Sequence, residues 1–348
     1  MNKKKVLIIG AGGTITAKMV KGSWRPGGFT GQDILEFVPE VKHLADITTI
    51  ELYKIDSSDM QPSYWIEIAK TIYKNYKNYD GIVITHGTDT MHYTASALSF
   101  LLQNIPIPIV LTGSQVPPHK EGSDARRNLL DAVRIASQTD ICEVTIVFNS
   151  KILRGNRAKK FREVEFEAFE SVGMLPLGVI EHDINLIGKH IKKKREKIKF
   201  YDKLEEKVCI LKITPGFDPR IIRKVIELGY KGLVIEGFGA GNIPILENSL
   251  IPEIKNAVKK NIPIIGTTQC AIGCSWMYLY EGGKRALDAG VIPGYDMISD
   301  TAMVKLMWIL GNYPKNMKKI REMALKNIAG EISNVRTPKE KRIWEYSL

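Results

Sequence analysis

The first 150 residues alternate between short, unbroken runs of β-branched and aliphatic residues and segments with helical spacing. This alternation constrains the fold more than any other feature of the chain. Continuous apolar runs of four to eight residues predict strands buried on both faces, and strands that alternate with helices predict a parallel sheet covered on both sides. The strand-like runs are KVLII at 5–9, residues 47–55, GIVIT at 81–85, residues 107–112 and residues 143–148. Helical patterns fall at 32–37, 62–73, 91–102 and 124–137, the second with Pro62 in its first turn and Trp65, Ile68, Ala69 and Ile72 on one side. Residues 17–31 (AKMVKGSWRPGGFTG) are too polar and glycine-rich for a core element, and a long loop directly after a strand is often a lid.

At 348 residues the chain is long enough for two domains. The charged, aperiodic stretch 188–206 marks the boundary, giving an N-terminal domain over 1–187, a linker over 188–206 and a smaller domain of the same class over 207–348. The expected fold is therefore α/β, a parallel-sheet N-terminal domain followed by a smaller α/β domain. In the second domain strands are expected at 208–213, 232–235 and 262–267, with helices at 219–228, 251–259 and 302–310.

Composition narrows the function classes. A hydrophobic fraction of 44% and a charged fraction of 25% are globular values. No run reaches the roughly 18 apolar residues of a membrane span, and residues 1–5 lead into a strand rather than a signal segment, so a cytoplasmic protein is expected. The net charge of +12 is spread along the chain, with its main concentration at 189–199 (KHIKKKREKIK); such a run reads as a solvated face, and nucleic acid is not the expected partner. Cys142, Cys209, Cys270 and Cys274 are scattered, and Cys270 and Cys274 lack CxxC spacing and a matching second pair, so neither a disulfide framework nor a metal site is expected.

The polar turns at the strand ends carry the chemistry, because ligands of open α/β sheets collect at the carboxyl ends of strands. Two turns stand out: GAGGTIT at 10–16 and THGTDT at 85–90. A dinucleotide fingerprint fails, since the third glycine of GxGxxG would fall at Ile15 and no helix pattern follows; a Walker A loop fails for lack of GK[ST], and no GxSxG elbow is present. The spacing of His86 and His92 does not put both rings on one helix face for a metal. Hydroxyl chemistry remains, with Thr14 after one strand and Thr88 with Asp89 after another. A threonine is a poor nucleophile unless a neighbour takes its proton, and a lysine held close to a carboxylate and kept neutral is one such neighbour. Each threonine taken singly also reads as an ordinary turn cap.

GGTI at 12–15 together with HGTDT at 86–90 resembles the signature segments of the bacterial-type L-asparaginases, in an archaeal, type I-like form. LTGSQVPPHKEGSDARRNLLDAV at 111–133, LRGNRAKKFR at 153–162, GFGAGNIP at 237–244 and AGVIPGYDM at 289–297 follow in family order. The resemblance implies hydrolysis of L-asparagine, with L-glutamine as the alternative substrate, without cofactor or metal. It implies Thr14 as nucleophile and a second group of Thr88, Asp89 and Lys160. In that group Lys160 withdraws a proton through Thr88, and Asp89 holds the lysine or the substrate amino group. The alignment selects Lys160, and a slip of one would move the role to Lys159. Backbone N–H groups at Thr14 and Thr88 would steady the oxyanion, at about 3 kcal/mol per donor. Ser57 and the N–H of Ser58 would hold the substrate carboxylate, and the Ser114 carbonyl would complete the pocket with Asn242 from a neighbouring subunit, which makes the expected unit at least a dimer.

One position departs from the pattern: where the family's mobile loop carries a tyrosine, this chain has Trp24, which has no hydroxyl to relay a proton. Two other readings stay open. One is the ammonia-supplying subunit of an archaeal glutamyl-tRNA(Gln) amidotransferase, which shares these signatures and VKLMW at 304–308; its relatives carry an extra domain before GGTI, for which a GGTI at residue 12 is expected to leave no room. The other is a non-catalytic protein that binds a small amide.

Overall fold

The computed structural model describes residues 3–20, 22–25, 27–28, 30–193 and 196–333, without the side chains of 20, 23–25, 31 and 34. The chain divides into two compact units, Met1–Glu206 and Lys207–Leu348.

The first unit is built on an eight-stranded sheet. Its parallel part contains Lys5–Ala11, Asp46–Tyr53, Gly81–Thr85, Ile109–Thr112 and Val144–Phe148. Numbered along the chain, these strands lie in the order 2-1-3-4-5. That order reverses direction between the first strand and the third, so the crevice at their carboxyl ends is the topological switch point where such sheets bind ligands. The strand sequences explain the layering. Val6, Ile8, Val83 and Val110 point to one face and pack with Leu129, Ala132, Val133 and Ala136 of helix Ala125–Gln138. The alternate positions Leu7, Ile9, Ile82, Ile84 and Leu111 are buried as well, as two-sided burial requires. Helix Met91–Leu101 packs on strands Ile109–Thr112 and Val144–Phe148 and is buried along nearly its whole length.

The sheet continues beyond the parallel strands. Lys151–Arg154 turns back antiparallel on Val144–Phe148 through Asn149 and Ser150, both at positive φ, and Gly178–Ile180 and Ile184–Leu186 extend it further. A separate hairpin, Ala158–Lys160 with Phe169–Ser171, carries Lys160. Within residues 17–31, Lys18–Val20 pairs with Ser23–Arg25. The segment 188–206, charged and aperiodic in sequence, is held along the first unit. Arg154 donates to the Lys189 carbonyl at 2.8 Å, Cys142 N donates to Ile191 O at 2.7 Å, and Lys199–Phe200 pairs with Leu102–Gln103.

The second unit has a four-stranded parallel sheet of Val208–Lys212, Gly232–Gly237, Ile264–Thr268 and Ile292–Pro293. Its helices are Arg220–Glu227, Ile251–Lys259, Glu281–Asp288, Ser299–Asn312 and Met317–Leu325. In Ser299–Asn312, Lys305 is fully buried and pairs with the equally buried Glu331 at 2.6 Å. Lys305 also donates to the carbonyls of Ala324 and Lys326, and Glu331 accepts from the N–H groups of Ile328 and Ala329. The architecture is the α/β class read from the sequence, with a large parallel-dominated sheet in the N-terminal part and a smaller sheet unit after it. Among the described residues no helix is long and apolar enough to cross a membrane.

Candidate active site

The first and third strands are adjacent and in register, with Gly10 opposite Thr85, so the turns that follow them meet. Their contact is set by glycine. Gly12 and Gly13 both adopt φ of 86°, and a Cβ on Gly13 would overlap the backbone of Gly87. No side chain fits between the turns, and the backbone there needs the left-handed region that glycine alone enters freely. Gly13 N donates to Ile55 O at 3.1 Å, which joins the first turn to the end of the second strand. A Cβ on Gly87 would come within 2.5 Å of Ser57 Oγ. Thr14, Ser57 and the Gly87–Thr88–Asp89 turn therefore share one crevice at the switch point.

Thr14 opens a short 3₁₀ turn, Thr14–Thr16, and is half-buried. The turn is fixed behind it, because Thr16 Oγ1 donates to Gly13 O at 2.9 Å and accepts from Gly27 N at 2.9 Å. Ser57 is buried at the start of another 3₁₀ turn, Ser57–Asp59, and its carbonyl accepts from Thr90 Oγ1 at 2.7 Å. Ser58 is exposed, and its N–H and hydroxyl both donate to Asp56 Oδ1, at 2.9 and 2.8 Å.

Lys160 reaches this crevice from its hairpin. Its Nζ lies 2.8 Å from Thr88 Oγ1 and 2.7 Å from Asp89 Oδ1. The Lys160 side chain is 14% exposed and that of Asp89 62%, so the ammonium is sheltered while the carboxylate faces solvent. Of the two lysines left open by the sequence, Lys160 is the one that makes these contacts.

His86 anchors the turn from beneath. It is fully buried, its Nδ1 donates to Gly87 O at 2.7 Å, and its Nε2 accepts from Thr94 Oγ1 at 2.9 Å. Burial pushes its pKa down to about 4, helped by His92 and opposed by the Gly87 bond, so the ring is neutral near pH 7. This is a structural histidine, and among the described residues no group of three His, Cys, Asp or Glu side chains is placed to hold a metal.

Three residues that sequence reasoning did not assign to the site complete its frame. Gln115 Oε1 lies 3.3 Å from Thr88 Oγ1. Asp124 accepts from the N–H groups of Gln115 and Val116 at 3.0 Å, and Asn128 donates to Gly113 O at 3.0 Å and to Asp124 at 2.9 Å. Desolvation raises the Asp124 pKa against these bonds. Together they fix the turn that carries Ser114, which is buried with its own hydroxyl unpartnered among the described residues. The signal was present in the sequence as Asp124 and Asn128 one helical turn apart directly after that turn.

Trp24 lies in strand Ser23–Arg25, its backbone opposite Met19, and its side chain is outside the described residues. Asn242 belongs to the second unit, where its Oδ1 accepts from Gly283 N at 2.8 Å, which leaves the amide NH2 as the end turned away from that bond.

A sheet with this strand order and a threonine–lysine–aspartate cluster at its switch point defines an α/β enzyme-like site for a small ligand. The family models make the class specific. Residues 5–192 match the model "Asparaginase, N-terminal" and residues 207–323 match "Glutaminase/Asparaginase C-terminal domain". The chain belongs to the asparaginase family. It is 39% identical over 342 residues to a subunit of the glutamyl-tRNA(Gln) amidotransferase of Pyrococcus abyssi, covering 94% of this chain and 77% of that relative. It is 36% identical over 330 residues to the L-asparaginase of Thermococcus kodakarensis, covering 94% and 99%. The solved structure of the thermostable L-asparaginase from Thermococcus kodakarensis superposes with a TM-score of 0.90 at 35% identity, covering 95% of this chain and 100% of that one. L-asparaginase I from Vibrio cholerae gives a TM-score of 0.85 at 32% identity, covering 95% and 99%.

Proposed function

We propose that this protein is an L-asparaginase that hydrolyses the side-chain amide of L-asparagine to L-aspartate and ammonia. The observation that carries the reading is the Lys160–Thr88–Asp89 cluster, with contacts of 2.8 and 2.7 Å, in the same crevice as the Thr14 turn. Thr14 Oγ1 attacks the amide carbon, the C–N bond breaks and ammonia leaves, and the acyl group remains on Thr14 as an ester. Water then attacks that ester, releasing the carboxylate and restoring the hydroxyl. Lys160 handles the proton through Thr88, and Asp89 holds the ammonium form of the lysine. Ser57 binds the substrate carboxylate. The Ser58 N–H shares in this only by releasing Asp56, its partner in the resting site. The Ser114 carbonyl accepts from the substrate amide, and Asn242 closes the pocket of a neighbouring subunit in a homodimer. No cofactor enters this chemistry. Trp24, which stands where the family's loop tyrosine is expected, has no hydroxyl and takes no part in the proton transfer.

A second reading is favoured by the names of several relatives at 38–40% identity, all of them subunits of archaeal glutamyl-tRNA(Gln) amidotransferases. In that reading the same site releases ammonia for amidation of glutamyl-tRNA(Gln) by a partner. Ammonia release from free L-asparagine by the purified chain separates the two. Prompt turnover without tRNA or partner supports the asparaginase. Turnover that appears only with tRNA and a partner protein supports the second reading, and binding of the amino acid without turnover in either condition removes both.

A further inference from the structure

The hydrogen bonds around Thr88 have a definite direction. Gln115 Nε2 lies 2.9 Å from the Glu163 carbonyl and 3.1 Å from the Glu165 carbonyl. Two carbonyls facing one end of an amide require that end to be the NH2 group, so the other end, facing Thr88, is the oxygen. That oxygen carries no proton. The single hydroxyl proton of Thr88 is therefore directed to Gln115, and the Thr88 oxygen accepts from Lys160 Nζ at 2.8 Å.

This polarity is the reverse of the one a proton relay needs, in which Thr88 gives its proton to a neutral Lys160 amine. The hydroxyl has two states. With a lysine ammonium it accepts from Lys160 and donates to Gln115; with a lysine amine it donates to Lys160 and gives up Gln115. The 3.3 Å contact to Gln115 is long for O–H···O, so the hydroxyl can leave it readily.

The Gln115 amide is itself held rigidly. Asp124 fixes its backbone N–H at 3.0 Å. The loop that supplies the two carbonyls is stapled at its base, where Lys151 bridges Glu167 and Glu170 at 2.5 and 3.0 Å and Arg162 donates to Glu167 O and Glu170 at 2.8 and 3.0 Å. The charged and titratable groups on the elements packed about Lys160 include Asp89 on the facing turn, Lys159 and Arg162 beside it in the chain, Glu163 and Glu165 on the loop that follows, Glu170 across the hairpin from Lys159, and His92 on helix Met91–Leu101, which packs on this hairpin. Asp89 is in direct contact with its Nζ, and Gln115 reaches it only through Thr88.

We propose, resting on the hydrolase reading above, that Gln115 is a positioning residue that keeps the Thr88 proton directed away from Lys160 and so favours the ammonium; the amine forms when the ammonium gives a proton to solvent water beside the exposed Asp89, and the hydroxyl then turns to donate to it. It acts on Lys160 through the Thr88 hydroxyl.

Two variants of Gln115 test this by moving the pH–activity profile in opposite directions. Gln115→Met removes the acceptor and favours the amine, so the limb of kcat that requires it moves to lower pH. Gln115→Glu supplies a charged acceptor and favours the ammonium, so the same limb moves to higher pH. Each displacement is expected to exceed about half a pH unit, with KM for L-asparagine within about threefold of wild type, because tenfold changes in proton affinity correspond to one pH unit. Limbs that do not move, or that move the same way in both variants, would overturn the proposal, as would a loss confined to KM. If Gln115→Met does not fold, Gln115→Leu carries the same test: it too removes the acceptor, and its limb must move to lower pH for the proposal to stand. If the wild-type chain releases no ammonia from asparagine or glutamine, the hydrolase reading fails separately. The Lys160 13Cε resonance, titrated by NMR in wild type and Gln115→Glu, then reads the same coupling without turnover: a higher midpoint in the variant supports it, and equal midpoints overturn it.

Discussion

His86 lies under the Gly87–Thr88–Asp89 turn as a neutral, fully buried ring, which makes the stability of the first unit sensitive to acid. Unfolded, the ring titrates at its ordinary 6.5; folded, desolvation holds it down to about 4. Between those values the unfolded chain binds a proton that the folded chain excludes. Stability from this group is thus fully present above about pH 6.5 and is lost as the pH falls toward 4. At about 1.36 kcal/mol per pH unit the gap corresponds to about 3 kcal/mol, a large part of the stability of a typical domain. The perturbation is His86→Asn, whose amide can still donate to Gly87 O but does not titrate. Hydrogen-exchange protection of strand Gly81–Thr85, corrected for intrinsic rates, reads the opening free energy of this unit in both proteins at pH 7, 6, 5 and 4.5. Around pH 5 the wild-type free energy should fall more steeply than the variant's, by a slope equivalent to about one proton. Other carboxylates, such as Asp124 and Asp131, whose burial raises their pKa values, act equally in both proteins and cancel. Parallel curves for the two proteins would refute the reasoning.

Glu331→Gln leaves the fully buried Lys305 ammonium without its carboxylate and should destabilise the second unit by about 3–5 kcal/mol, measured by urea unfolding followed through the buried Trp308; Lys305→Met with Glu331→Leu should recover much of that loss. Gly87→Ala places a Cβ 2.5 Å from Ser57 Oγ and should raise KM for L-asparagine by displacing that serine, while far-ultraviolet circular dichroism stays unchanged; a KM no different from that of wild type would show that the crevice can open at no cost to binding. Ser57→Ala should raise KM about tenfold or more through loss of one hydrogen bond to a charged carboxylate, with a smaller effect on kcat.

The parallel strands and their helices were legible because burial on both faces demands unbroken apolar runs such as GIVIT, and residues 62–73 show the helical period cleanly. The antiparallel extension was not, since Lys151–Arg154, Gly178–Ile180 and Ile184–Leu186 are too short to show a period and are defined by their pairing. Glu281–Asp288, with two glycines, is held by tertiary contact against its propensity, so no local pattern announces it. The threonine turns could be read because strand ends in such sheets collect ligands, and glycines at Gly12 and Gly13 mark the close approach. The partner of Thr88 could not: Gln115 acquires its role from two backbone carbonyls about 50 residues away, and backbone acceptors leave no trace in a residue pattern.

In the proposed mechanism Thr14 attacks the amide while Lys160 serves it through Thr88. Ammonia release from L-asparagine by wild type, Thr14→Ala, Thr88→Val and Lys160→Met tests it most directly, with folding of each variant verified by circular dichroism and thermal unfolding. Wild type should turn over without tRNA, and each folded variant should lose kcat by about a thousandfold or more, near 4 kcal/mol of transition-state stabilisation. Full activity in any one of the folded variants would contradict the role assigned to that residue, and full activity in Thr14→Ala would contradict the account as a whole.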